Sequence, residues 1–424
     1  MKRRELLTGS LSASLLALAG CRGRGGEVVD TAHEGARAEG AEGAGEPVET
    51  SDAKTLLLLG GTGFLGPHIV DSATARGYTV TLFNRGKTNT HLFPELEKLR
   101  GDRDGGLDEL RAAIAGGRRW DAVIDTSGYV PRIVRDSATL VAPATDHYIF
   151  ISSISVFAET GRVGLDEGSA VAVLEDPTVE EVTGETYGAL KALCEAAAEE
   201  AMPGRTTNVR PGLIVGPGDP TDRYTYWPAR LDRGGPTIAP GREGDPVQFI
   251  DARDLAAWLI TCVQAHHLGI YNATGPAEQT TIGTLVEDCR AAAGSDAELV
   301  WIDAEFLAER EVMPWVHMPV WIPPESPEGG IGQVSIAKAL AAGLSFRSGR
   351  ETAEDTLLYW RGLPQERRDK PRAGLDPAKE AEVLAAWAAR PGVAQAAQRG
   401  ARQRFALCPP SAPPFARHCG VEFA

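Results

Sequence analysis

Tyr187 and Lys191 stand four residues apart in "ETYGALK", a spacing that puts both side chains on one face of a helix. That pairing has a definite chemical use. An ammonium close to a phenol favours the phenolate and draws the tyrosine pKa down from about 10. Tyr187 could then take a proton from a substrate alcohol as hydride leaves the same carbon, or return it to a carbonyl. A serine hydroxyl would fix the substrate oxygen, and "IFISSISVF" upstream supplies Ser153. The Tyr-x-x-x-Lys spacing is common by chance. It gains meaning only beside elements that hold a hydride carrier.

Those elements begin at "LLLLGGTGFLG". Gly60, Gly63 and Gly66, with Phe64 and Leu65 between the last two, follow a leucine run and precede the amphipathic "PHIVDSATARG". Glycines at these places let the backbone turn tightly, let a pyrophosphate approach, and let helix pack on strand, while the helix N-terminus offers unpaired N–H groups to phosphates. The strand and helix context makes this a dinucleotide loop rather than a plain glycine-rich turn. The second strand ends in "TLFNRGK", placing Asn84, Arg85 and Lys87 where an acidic residue would select the 2′-hydroxyl of NAD. A guanidinium there can pair with a 2′-phosphate, so the expected cofactor is NADP, with NAD possible. Asp102 in "RGDRD" is placed to meet the adenine.

Apolar strands ("TLLLL", "YTVTLF", "WDAVIDT", "HYIFISS", "TTNVRPGLIVG") alternate with helical segments from Lys54 onwards. This predicts an α/β fold, a Rossmann-type doubly wound parallel sheet, with a smaller C-terminal substrate-binding part drawn mainly from 212–246 and 275–330. The chain resembles the extended short-chain dehydrogenases/reductases of the NAD-dependent epimerase/dehydratase family from about Lys54 to Gly362. The resemblance implies a catalytic Ser153, Tyr187 and Lys191, and adds Arg103, Thr126, Ser127 and Pro211 as cofactor contacts. It matches "NVRPGLIVGPGD" to the backbone that lies against the nicotinamide, and "QFIDARDLA" to a segment that closes the substrate pocket. Three departures bear on the substrate. Leu213 stands where nucleotide-sugar epimerases hold asparagine, Val247 where they grip the diphosphate with arginine, and Ile154-Ser155 where dehydratases carry Asp-Glu. A nucleotide sugar is therefore not expected. Tyr224, Tyr226, Trp227, Trp315 and Trp321 offer rings that could stack on a sugar, although core packing would equally explain them.

The N-terminus points elsewhere in the cell. Lys2, Arg3 and Arg4 precede an apolar run from Leu6 to Ala19, shorter than the ~20 residues that a bilayer core needs. It reads as a signal peptide over 1–20. The double arginine resembles the twin-arginine export signal. Leu18-Ala19-Gly20-Cys21 resembles the bacterial lipoprotein site, at which Cys21 would be lipidated and hold the protein on an extracytoplasmic membrane face. Residues 21–53 are rich in Gly, Ala and Glu and read as a flexible tether. Past Gly362, "DPAKEAEVLAAWAAR" reads as one helix and the rest of 363–424 as a disordered tail.

The net charge of −15 argues against a nucleic-acid partner. The six cysteines form no disulfide framework, and no Cys/His cluster suggests a metal. Cys194, Cys262 and Cys289 read as buried thiols. The sequence leaves the oligomeric state open. Three functional readings stay open too: an exported, cofactor-loaded enzyme acting on a carbohydrate-like alcohol or ketone; an NADP-dependent reductase of a small carbonyl compound in the cytoplasm; and a dinucleotide-binding protein without turnover. An exported enzyme meets no pool of reduced dinucleotide. A redox-neutral cycle, in which one bound cofactor removes a hydride and gives it back, would suit it.

Overall fold

The computed structural model describes residues 54–390. The expected signal, Cys21 and the whole tether lie outside the described residues, as does the expected tail from residue 391. Two compact units divide after Leu375.

In the first unit the strands β1 (Thr55–Leu59), β2 (Thr79–Asn84), β3 (Glu97–Arg100), β4 (Ala122–Asp125), β5 (Tyr148–Ile151) and β6 (Thr206–Pro211) join an edge strand, Gly269–Ala273, in one sheet. The spatial order is β3-β2-β1-β4-β5-β6-edge, and every pairing is parallel. The leucine run of β1 follows from that position. Leu56, Leu57, Leu58 and Leu59 are each 0% exposed, because a central parallel strand is covered on both faces and cannot alternate apolar with polar.

Two layers of helix do the covering. The helices Leu65–Ala75 (α1) and Ala252–Ala265 press Ile69, Val70, Leu255 and Leu259 onto one face. The helices Pro131–Val141 and Tyr187–Ala201 press Val134, Ala138, Cys194 and Ala198 onto the other. The chain reverses its winding direction between β1 and β4, and such a switch point opens a crevice at the carboxyl ends of the strands. Cys194, Cys262 and Cys289 are free and buried, as expected.

The smaller part is built from short strand pairs. Ile214–Val215 runs parallel to Ile250–Asp251, Pro236–Pro240 runs parallel to Glu298–Ile302, and Pro246–Val247 lies antiparallel to Thr280–Thr281. Here the aromatic expectation needs correcting. Tyr224 and Trp227 are 0% exposed. The Trp227 Nε1–H donates to the Pro319 carbonyl at 2.8 Å, and the Tyr224 ring packs on Phe249 at 5.1 Å. The Tyr226 ring fills the space above Gly374, and the Trp321 Nε1–H donates to Asp245 at 2.9 Å. These four rings hold the substrate part together and do not line the cleft. Burial of large rings outweighs any use as a stacking surface, since each removes 150–250 Å² from water.

The expected boundary at Gly362 also moves. Residues 363–375 belong to the first unit, because Arg367 grips the Asp222 carboxylate with bonds of 2.6 and 2.7 Å, and the Arg372 N–H adds a third at 2.8 Å. In the second unit the expected helix spans Pro377–Ala388, capped by Asp376, whose side chain accepts from the Ala378 and Lys379 N–H groups.

Candidate active site

A cleft of about 1330 Å³ opens at the switch point. The glycine loop forms one wall. Gly60 (φ +117°) passes so close to Thr126 that a Cβ would lie 2.4 Å from its Oγ1, and a Cβ on Gly66 would lie 2.5 Å from the Gly61 backbone. Gly63 differs, for a Cβ there would meet nothing within 4 Å. Its open side belongs to the cleft wall. Phe64 precedes α1 without a side-chain cap, so the first N–H groups of the helix keep their capacity for an anion. Thr126 and Ser127 donate their hydroxyls to the Leu59 carbonyl at 3.1 and 3.3 Å and tie the loop after β4 to β1.

At the end of β2 the Asn84 side chain is occupied locally. Its Nδ2 donates to the Gly60 carbonyl at 3.2 Å, while its Oδ1 accepts from the Gly86 N–H at 2.9 Å and from Arg100 at 2.7 Å. Asn84 thus shapes the turn that presents Arg85 and Lys87, both exposed on the cleft wall. Asp102 lies beside them on the rim, two residues past β3. Arg103 is spoken for: it pairs with the fully buried Asp125 at 2.6 Å and donates to Ser137 at 2.6 Å. Its guanidinium is a strut beneath the wall more than a free cofactor hand. Sequence reasoning missed two residues of this wall, Gly61 and Asn89, and a brace behind it, Arg100. Gly61 (φ +93°) packs on Leu82, Asn89 donates to the Thr62 carbonyl at 2.9 Å, and Arg100 holds Asn84. Of these only Gly61, in the Gly-Gly pair, carried a sequence signal.

The opposite wall brings Ser153, Tyr187 and Lys191 together with Pro211. Ser153 follows β5, and its Oγ accepts the Ser155 N–H at 3.1 Å while donating to the Ser155 hydroxyl at 3.0 Å. Tyr187 begins its helix where Gly188 meets the Ser155 carbonyl; a Cβ on Gly188 would lie 2.1 Å from that oxygen. The close approach needs glycine and brings the phenol beside Ser153. Lys191, one turn on, donates to the carbonyls of Gly128 at 2.7 Å and Ile151 at 2.6 Å.

One expectation about these groups is corrected. Burial pushes the Tyr187 phenol above its ordinary value, and the neighbouring Tyr129 adds to the rise; Ser153 and Arg223 pull the other way. The Lys191 ammonium, for its part, is engaged by two main-chain carbonyls. Burial pushes Lys191 itself down to about 8. Tyr187 is thus a neutral phenol that donates or accepts a proton within a hydrogen-bonded chain, and not a standing phenolate.

The residues of the first wall fit a dinucleotide, and Arg85 stands exposed on that wall. Loss of that guanidinium in Arg85→Ala should weaken NADP binding by about 1.5–3 kcal/mol, the worth of a hydrogen bond to a charged group. NAD affinity should stay the same. Titration of both cofactors checks this, and equal losses would make Arg85 merely structural.

Comparison with known proteins places the chain. The profile of the NAD dependent epimerase/dehydratase family matches residues 56–273. The chain is similar to the epimerase family protein SDR39U1 of Bos taurus, 28% identical over 281 residues, covering 61% of this chain and 88% of the relative. Two solved structures share the architecture. One is UDP-glucuronic acid 4-epimerase from Bacillus cereus in complex with NAD (16% identity, TM-score 0.51, covering 72% of this chain and 98% of that one). The other is dTDP-glucose 4,6-dehydratase from Bacillus anthracis in complex with NAD (13% identity, TM-score 0.53, covering 74% and 98%). An epimerase and a dehydratase on one fold leave the reaction to be read from the site.

Proposed function

Because this chain belongs to the NAD-dependent epimerase/dehydratase family, we propose that it is an NADP-dependent enzyme that moves hydride to and from an alcohol or ketone of a small carbohydrate-like molecule. The observation that carries this reading is the meeting of Ser153, Tyr187 and Lys191 across one cleft from the glycine loop. A dinucleotide held by the glycine-loop wall would supply the hydride chemistry. The Ser153 hydroxyl donates to the substrate oxygen and fixes it beside the Tyr187 phenol, which takes the alcohol proton on oxidation and returns it on reduction. Lys191 ties the loop after β4 to the end of β5, and with the dinucleotide bound its ammonium would turn to hold the nicotinamide ribose.

The substrate carries no nucleotide. Val247, at the place of the diphosphate-gripping arginine, is 1% exposed within the pair Pro246–Val247 and Thr280–Thr281, and an apolar side chain there offers a diphosphate nothing. Ile154 and Ser155 after Ser153 supply no carboxylate for dehydration.

We further propose that the enzyme works outside the cytoplasm, anchored through a lipid on Cys21. The leader residues Arg3, Arg4 and Cys21 support this, and the twin-arginine route suits a protein that folds around its cofactor. In that location the redox cycle is closed, so that one bound NADP serves many turnovers. The test is to purify the full chain from the membrane fraction and analyse what it retains. NADP should be present at about one per chain, and turnover should proceed with none added. Activity that consumes one external NADPH per product would make the protein an ordinary reductase, and recovery wholly in the cytosol would end the export reading.

A further inference from the structure

The turn 219–223 lies between the short strand Ile214–Val215 and the helix Tyr226–Asp232. It carries three charged side chains, all nearly buried: Asp219 at 4%, Asp222 at 2% and Arg223 at 7% exposure. Burial of so many charges is costly unless each finds a partner. Two of them do. Asp219 accepts from the Thr221 N–H at 2.8 Å and from the Thr221 hydroxyl at 2.7 Å. Asp222, with a left-handed backbone (φ +58°), is held by Arg367 and by the Arg372 N–H.

Arg223 does not. Its Nε donates to the Thr221 hydroxyl at 3.2 Å and its plane lies over the Trp315 ring at 5.3 Å. Its two terminal amino groups meet no acceptor, and no carboxylate pairs with it among the described residues. Asp222 is held by Arg367, while Asp219, bonded to Thr221, acts on Arg223 through its charge without an ion-pair contact. Arg223 and Trp315 line the cleft together with Tyr187, and the charge of Arg223 is felt at the Tyr187 phenol. A guanidinium clamped by one edge and one face, with its fork open towards a cavity, has the geometry of a bidentate anion receptor.

We propose that Arg223 is the anion-binding group of the substrate site, and that the substrate is a small hydroxylated acid whose carboxylate or monophosphate docks on Arg223 while a nearby hydroxyl or keto group reaches Tyr187. This deepens the hydride-transfer reading and rests on it for the role of Tyr187. Trp315 contributes the stacking face that fixes the guanidinium plane. The polarity of the site thereby selects a charged substrate over a neutral sugar of the same size. The low-dielectric surroundings strengthen the pairing.

The test is a binding titration of the full-length, NADP-loaded protein with three probes: glucuronate, glucose 6-phosphate and glucose. One of the two anions should bind about ten- to a hundredfold more tightly than glucose, the range expected for a charge-assisted bidentate contact. Whichever binds identifies the anion as carboxylate or phosphate. Arg223→Met should abolish the preference, and Arg223→Lys, which keeps charge without the fork, should retain part of it. NADP affinity, measured on the same variants, should be unchanged and serves to show that they are folded. Equal binding of all three probes, binding of neither anion, or anion binding untouched by Arg223→Met would each overturn the proposal. Loss of NADP affinity in Arg223→Lys would overturn it too, by assigning the guanidinium to the cofactor pyrophosphate. Because binding is read without turnover, a failure of the closed redox cycle would not register as a failure here.

Discussion

Tyr187→Phe should lower kcat by about 10²–10⁴-fold, the usual worth of a positioned proton transfer. The substitution removes one oxygen and almost no volume from a side chain that is 6% exposed, so the fold and NADP affinity should persist. The ring still packs against Tyr129, whose centroid lies 6.5 Å away. Ser153 keeps its own bonds to Ser155. What disappears is the group that carries the substrate proton. Steady-state turnover of the compound retained by the purified enzyme measures the effect, with NADP titration as the control. A kcat reduced by less than about threefold would remove Tyr187 from proton transfer and leave the cleft a binding site.

The second large effect is structural. Glu195, on the helix that carries Tyr187, pairs with Arg210 of β6 through two bonds of 2.9 and 2.7 Å, with side-chain exposures of 7% and 2%. Arg210 also lies over the Phe157 ring at 5.2 Å. Arg210→Met should lower unfolding free energy by about 3–5 kcal/mol, because it leaves a buried carboxylate with no counter-charge. Adding Glu195→Leu to that variant should recover most of the loss, since a well-packed apolar pair avoids the desolvation of both ions. Urea unfolding monitored by circular dichroism distinguishes the outcomes. A double variant no more stable than the single would mean that the pair itself, and not the orphaned charge, holds helix to strand.

Local features were legible in the sequence; long-range ones were not. The run Leu56–Leu59 announced a strand covered on both faces, and the glycines after it announced the turn, because both signals reside in neighbouring residues. The four-residue spacing of Tyr187 and Lys191 likewise placed them on one helical face. Which way the Lys191 ammonium points was not legible, since its acceptors are the carbonyls of Gly128 and Ile151, 63 and 40 residues away. The sequence left the rings of Tyr224 and Trp227 undecided for the same reason. An aromatic stripe reads alike whether it faces a ligand or a core, and the deciding partner of Trp227, the Pro319 carbonyl, lies 92 residues on. Arg223 gave no signal at all. The turn that presents it is fixed by Arg367, which holds Asp222 from 145 residues downstream.

That last contact turns the stretch 363–375 into a competitor for a single carboxylate. A fragment ending at Gly362 would keep every strand of the central sheet, the glycine loop, Ser153, Tyr187 and Lys191. By the usual standards of fragment design it would look intact. It would lack Arg367 and Arg372, however, and Asp222 would be released one residue from Arg223. A buried carboxylate would then stand without its counter-charge in the turn that carries Arg223. The C-terminal arginines thus neutralise an internal anion of the turn that presents Arg223 to the cleft. Where the chain is cut would therefore decide whether that turn keeps its buried charge balanced, without altering a single residue that lines the cleft.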